Sequence, residues 1–311
     1  MNASKLKTKI QQIGVKNFAR DAFNTMTINK VDFNWRCRVL KKDIADYAML
    51  KKKYGYIVNQ TDWTAKSISS IPKKIWICWF QGEENAPDIV RMCIASVRKT
   101  FSDYSVTVIT DENIDEYIEI PKFIKDKRKK GIIKPAHYSD LIRLELLIKY
   151  GGIWLDSTVF VNSKNLIEHI LEGKERLFVY QDFKAIDSYV GISNWCIVAN
   201  QNNPYLSTVR NMLIDYWKKC NRVCNYYIFH MFFMIVAEIK PEEWKKIPAY
   251  SCQPPHILQN ELFDVYDKGR FNQLMEMSSI HKLSYKFAEE KFEQEDTVYQ
   301  HLKQLYLEEK V

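Results

Sequence analysis

Residues 136–160 read AHYSDLIRLELLIKYGGIWLDSTVF, and the fold turns on this stretch. From Ala136 to Tyr150 the apolar side chains Leu141, Leu144, Leu147 and Ile148 are spaced to lay one stripe along a helix. Asp140 and Arg143 are three residues apart, so a helix projects them side by side toward a common ligand. Gly151 then ends the helix, because glycine takes the left-handed backbone conformation at a helix C-terminus without steric cost. The short run Ile153-Trp154-Leu155 is rich in strand formers and delivers Asp156, Ser157 and Thr158 to the mouth of a sheet. By shape alone such a unit is ordinary α/β packing that recurs on many unrelated folds.

The chain to either side extends the alternation. Lys74-Ile75-Trp76-Ile77-Cys78-Trp79-Phe80 is a continuous apolar run suited to a strand buried on both faces, and Gln81-Gly82 turns it. A helix from Pro87 to Arg98, a strand from Tyr104 to Thr110 and a basic helical segment around Lys125 to Lys130 lead to Gly131 and the central unit. After Asp156 the expected order is a helix over 163–172, strands over 176–183 and 195–200, and helices over 205–219, 226–239 and 242–246. A last amphipathic helix is expected over 292–309. No internal repeat interrupts this order, which predicts an α/β protein with a mostly parallel, doubly wound sheet flanked by helices.

Residues 1–60 read differently, as helices with a basic outer face. Leu6, Ile10, Ile13 and Phe18 line one stripe, and Val39, Ile44, Tyr47 and Leu50 another. The polar stretch 59–70 reads as a linker. The division is a basic helical extension over 1–66 and a main domain over 67–311. In the latter, 71–160 forms the ligand site, 204–280 a helical block and 281–311 a closing segment.

Formal net charge is +8, and residues 1–60 carry thirteen Lys or Arg against four Asp, so the excess lies wholly in the extension. A basic surface of this kind serves nucleic acid, anionic lipid or solubility. No zinc-finger or RNP-type module accompanies it, so nucleic acid is not an expected partner. The seven cysteines are odd in number and contain no C-x-x-C, which favours reduced thiols in a cytoplasm over a disulfide framework. The most apolar run, Tyr226 to Ala237, is too short to span a bilayer, and no signal peptide is recognisable, so a cytoplasmic location is expected.

The run S-D-x-x-R, Leu-Leu, G-G-I-W-L-D over residues 139–156 resembles the donor-site segment of glycosyltransferase family 32 and of the large glucosylating toxins. Within that group it is most similar to the bacterial capsular polysaccharide synthesis proteins. I-P-K-x-I-W-x-x-W-F over 71–80 resembles the first strand of the same group, where the strand end, with Trp79, meets the nucleotide. Ser279 to Lys286 resembles the end segment of related retaining families, in which a His reaches the metal and a Lys the diphosphate, here His281 and Lys286. The resemblance covers 71–160 clearly, 176–286 loosely and the first sixty residues hardly at all.

The resemblance implies a GT-A-type nucleotide-binding sheet and a retaining hexosyltransferase. Its donor would be a nucleotide sugar, UDP-glucose or UDP-galactose, and its acceptor a lipid-linked saccharide of capsular or surface polysaccharide synthesis. The basic extension would rest on the anionic inner face of the membrane. Transfer from such a donor requires a neutralised diphosphate, which a divalent cation and basic side chains supply. Asp156 is expected to hold Mn²⁺ or Mg²⁺, with Thr158 and His281 as further ligands, and Asp140 and Arg143 are expected on the donor sugar and phosphate. Thr158 stands where many relatives have a second Asp, so a full negative charge is missing and metal affinity is expected to depend on bound nucleotide. Ser157, between them, is expected to point by strand alternation toward the sugar pocket and tune the choice between epimers. His137 and His230 are expected to be structural. Two other classes remain open: a nucleotidyl- or phosphosugar transferase, against which stands the lack of a G-x-x-x-x-G-K loop, and a non-catalytic basic binding protein.

Overall fold

The computed structural model of the chain describes residues 15, 18, 19, 35–64, 70–173, 176–182 and 189–308. Its five-stranded sheet has the order β2-β1-β3-β6-β5. The strands are β1 (Lys74–Cys78), β2 (Ser105–Ile109), β3 (Gly152–Leu155), β5 (Leu177–Gln181) and β6 (Ile192–Ala199). β1 pairs in parallel with both β2 and β3, while β6 runs antiparallel to its neighbours β3 and β5. Four strands therefore share one direction and only β6 is reversed, so the sheet is mostly parallel, as expected. β3 is buried at every position because both faces of the sheet are covered. Ile75, Ile77, Ile153 and Leu155 enter one core, and Trp76 and Trp154, at alternate positions, enter the other.

Five principal helices bound these cores: α1 (Trp35–Tyr54), α2 (Asp88–Thr100), α3 (Pro135–Tyr150), α4 (Pro204–Lys219) and α5 (Ile228–Ile239). The Trp76 face packs against α3, α4, α5 and the second half of α1. The opposite face packs against α2 and the C-terminal segments. α5 is apolar nearly all round, and it is correspondingly buried, with Phe229, Phe232 and Phe233 fully covered. Among the described residues no helix is long and apolar enough to cross a membrane.

Both glycines after α3 have positive φ, +67° at Gly151 and +103° at Gly152. Gly151 has ψ −167°, so it is not in the left-handed helical region that the sequence suggested, but its φ still favours glycine. A Cβ on Gly152 would lie 2.5 Å from the Lys74 carbonyl oxygen, so only glycine lets β3 approach β1 this closely.

A second, two-stranded sheet joins β4 (Val159–Val161) to β7 (Ile280–Lys282) in antiparallel register, with Val159 opposite Lys282 and Phe160 opposite His281. It brings the C-terminal segment across the end of β3.

Three expectations change. The described part of the extension is no separate body, since Tyr47, Leu50 and Tyr54 of α1 lie in the same core as α3 and α5. Its second stripe divides, because Val39 and Ile44 are exposed while Tyr47 and Leu50 are buried. Leu6, Ile10 and Ile13 of the first stripe lie outside the described residues. The final helix is broken into Glu289–Phe292 and Val298–Lys303 followed by a π turn. Asp296 there has φ +55°, and the Thr297 side chain caps a fresh start by accepting from the Gln300 N–H.

Candidate active site

The site forms where β1 and β3 end. Arg143 on α3 is buried, and its guanidinium lies between two carboxylates, 3.3 Å from Asp140 Oδ1 and 3.4 Å from Asp156 Oδ1. Apolar surfaces hold it in place. The guanidinium carbon stands 5.0 Å from the Trp154 ring and 5.6 Å from the Phe229 ring. It donates to the Asn194 carbonyl at 2.9 Å and to the Ser139 hydroxyl at 3.1 Å. Asp140 Oδ1 accepts from the Asn194 amide at 3.0 Å, so helix α3 and strand β6 fix the acid together. An Arg with two acids and two further oxygen partners is rigidly held and fixes both acids in turn.

Asp156 is the more accessible of the two acids, with its side chain 29% exposed against 8% for Asp140. Its backbone N–H donates to the Trp195 carbonyl at 2.8 Å, which prolongs the β3–β6 ladder by one residue. Oδ1 accepts from Trp154 Nε1 at 2.9 Å and from Arg143, and Oδ2 takes no hydrogen bond among the described residues. That oxygen is free to ligate a cation, so Asp156 fits the role of a metal ligand.

Thr158 and His281 are not brought to it in that role. Thr158 is buried, and its hydroxyl already accepts from the Lys282 ammonium at 2.6 Å. His281 is next to Lys282 in β7, so it points to the opposite side, against Phe160 at 6.0 Å. There it is 1% exposed, and burial lowers its pKa to about 4. The expected trio Asp156, Thr158 and His281 therefore does not form, because strand alternation selects Lys282 instead.

Ser157 also departs from its expected setting. The Val159 N–H donates to the Asp156 carbonyl at 2.9 Å, closing a turn over Asp156-Ser157-Thr158, so strand alternation does not govern where Ser157 faces. Ser157 is half-buried in this turn. Trp79 follows β1, its backbone N–H bonded to the Ile109 carbonyl at 3.0 Å. Its ring meets Tyr285 edge-on at 5.4 Å, and its buried Nε1–H has no partner among the described residues. Trp76, by contrast, is core, donating from Nε1 to the Gly151 carbonyl at 3.0 Å. Lys286 is exposed beside Tyr285.

Several residues at the site escaped sequence reading. Asn194 lacks a helical or motif signal of its own, Trp154 reads in the sequence only as a strand former within its motif, and Lys282 is overshadowed by its neighbour His281. Tyr226 packs on His137 at 5.6 Å and Tyr227 on His230 at 5.4 Å, while both tyrosines remain exposed. Burial lowers the His230 pKa to about 4.

Among curated proteins, two fungal relatives match. The O-glycosyltransferase braB of Annulohypoxylon truncatum is 26% identical over 165 residues, 49% of this chain and 39% of that protein. The O-glycosyltransferase PaGT of Phomopsis amygdali is 23% identical over 157 residues, 47% of this chain and again 39% of the relative. The chain thus matches about two fifths of the length of each. Among solved structures, the PaToxG glycosyltransferase is similar at 13% identity and a TM-score of 0.39, over 88% of this chain and 98% of that one. The glycosyltransferase GlyE of Streptococcus pneumoniae TIGR4 in its apo form gives 12% and 0.38, over 77% and 64%. Both structural likenesses are too distant to carry an argument. The model of the capsular polysaccharide synthesis protein family matches residues 27–302, nearly the whole chain and all of the site just described, and the chain belongs to that family.

Proposed function

We propose that this protein is a retaining glycosyltransferase of the GT-A type that moves a hexosyl unit from a nucleotide sugar, UDP-glucose or UDP-galactose, to a lipid-linked saccharide in capsular or surface polysaccharide synthesis. The observation that carries this reading is Arg143, buried between Asp140 and Asp156 where two parallel strands end. Ligands of open α/β sheets sit at such strand ends. The cluster of one guanidinium and two carboxylates is net negative and held rigidly, which suits a divalent cation that would neutralise a diphosphate leaving group there. The family membership and the O-glycosyltransferase names of the curated relatives support the same reaction class.

Asp140 and Arg143 would position donor sugar and phosphate, with Trp79 against the base. Mn²⁺ or Mg²⁺ would be held by Asp156 through Oδ2 together with oxygens of the donor, and would supply Lewis-acid neutralisation of the diphosphate. With both acids engaged by Arg143, neither serves as a covalent nucleophile, which supports front-face displacement with retention. The exposed Tyr226 and Tyr227 offer stacking surfaces for an acceptor sugar beside the acids. The peripheral seat on the cytoplasmic membrane face is supported by the exposed apolar Val39, Leu40 and Ile44 on the basic helix α1.

The test is hydrolysis of, or transfer from, a panel of nucleotide sugars by the purified chain with Mn²⁺. Turnover of a UDP-hexose that Arg143→Ala abolishes supports the proposal. No turnover of any nucleotide sugar, with or without acceptor, overturns it.

A further inference from the structure

Lys282 carries a charge that the protein does not balance. It is half-buried, and its ammonium spends two N–H groups on neutral oxygens, the Thr158 hydroxyl at 2.6 Å and the Leu283 carbonyl at 2.8 Å. Among the described residues it has no carboxylate within ion-pair distance, whereas Arg143 close by has two. A desolvated ammonium without a counterion is costly, and proteins keep one where an anion arrives. Among the described residues no acceptor takes the third N–H.

Its position gives that anion an identity. β7 pairs antiparallel with β4, with Lys282 opposite Val159, so its ammonium reaches Thr158, two residues from Asp156 and within the field of Asp156 and Arg143. Three residues further on, Tyr285 closes on Trp79, whose buried indole N–H is also without a partner among the described residues. Unspent donors from β7 and from the end of β1 thus flank one mouth, and among the described residues no carboxylate accepts from them.

We propose that Lys282 is the diphosphate-binding cation of this site, filling with a fixed ammonium the place that a second strand-end carboxylate and its share of a metal ion would take. The inference rests on the glycosyltransferase reading for the nature of the ligand. It differs from that reading in assigning the charge to Lys282, with Thr158 as the tether that aims it. Thr158 is then a functional partner of a lysine, and the missing second acid is a replacement of one charge scheme by another. A second acid beside Lys282 would neutralise it.

The test is calorimetric titration of UDP, inorganic pyrophosphate and uridine into the whole chain, in chelator and again with Mn²⁺. In chelator the wild type binds UDP and pyrophosphate. Lys282→Met weakens both by at least about tenfold, the scale for losing a charge-assisted hydrogen bond, and leaves uridine unchanged. Lys282→Arg keeps binding within about threefold. Thermal melting separates this from a structural role: Lys282→Met melts at or above the wild-type temperature, since an unbalanced buried charge is removed. UDP binding by Lys282→Met within about twofold of wild type overturns the inference and leaves the glycosyltransferase reading standing. Pyrophosphate binding that depends on Lys282, with no nucleotide or nucleotide-sugar binding, upholds the inference and sinks that reading. A wild type that binds neither overturns both, and a Lys282→Met melt well below wild type with unchanged uridine and UDP affinity assigns the residue to the fold alone.

Discussion

At the scale of single residues, Asp156 and Arg143 differ in what their loss exposes. Asp156→Ala removes an oxygen that faces a ligand but also strips Trp154 Nε1 of its acceptor, so a fall in turnover by several orders of magnitude should come with a modest stability loss of about 1 kcal/mol. Steady-state rates and urea midpoints on the same preparation check both parts, and full activity of the variant removes Asp156 from the chemistry. Arg143→Lys should be almost as harmful as Arg143→Ala, because an ammonium cannot reach two acids, a carbonyl and a hydroxyl at once. Two histidines make stability depend on acid. The pKa values of His230 and His281 lie near 4 in the folded protein against about 6.5 unfolded, so the unfolded chain takes up their protons first. Their contribution is complete above about pH 6.5 and is lost as pH falls toward 4, on the order of 3 kcal/mol for each. His281→Leu should flatten the acid limb of a plot of unfolding free energy against pH, and an unchanged limb rules His281 out as its source. His281 was legible as a residue of the closing segment, but not its side of the strand. An H-x-x-x-x-K spacing does not reveal which of His281 and Lys282 a pairing with β4 turns toward Asp156.

Secondary-structure elements were more legible than their joints. Helix α3 begins and ends within one residue of its expectation because an apolar stripe, Pro135 at its start and Gly151 after it all agree. The turn at Asp156-Ser157-Thr158 was not legible, since three short polar residues after a strand fit a continued strand and a turn equally well. Nor did the sequence around Trp195 disclose the reversed direction of β6, because a strand buried on both faces looks alike in either sense. The break before Val298 depends on one threonine. Thr297→Ala removes the cap that holds the Gln300 N–H and should cost about 1 kcal/mol, read as a lower melting temperature with donor binding unchanged. No change in melting would mean that packing of Tyr299 and Leu302, not the cap, fixes this helix.

Across the whole molecule, the basic charge excess was plain in the sequence and the attachment of the extension was not. Tyr47 donates to Glu238 at 2.7 Å, Lys51 pairs with the same acid, and Tyr54 meets Phe232 edge-on at 5.5 Å, so α1 is welded to α5. Removing residues 1–66 should therefore expose Leu50, Tyr54 and the flank of α5 and give an aggregating, poorly folded product, judged by light scattering and melting. A truncated chain that melts like the parent would restore the extension as an independent module. The distance along the chain between the two halves of the mouth has a consequence in time. Thr158 and Lys282 bond across 124 positions. At about 5–20 residues per second of synthesis, the strand that carries Asp156 waits roughly 6–25 s on the ribosome for the segment that completes it. Until then α3, β3 and their acids can be folded while the mouth has only one wall. A nascent chain halted anywhere before β7 emerges should thus hold a native-like sheet and yet be inert, and the capacity to grip a phosphate should appear abruptly, near the end of translation.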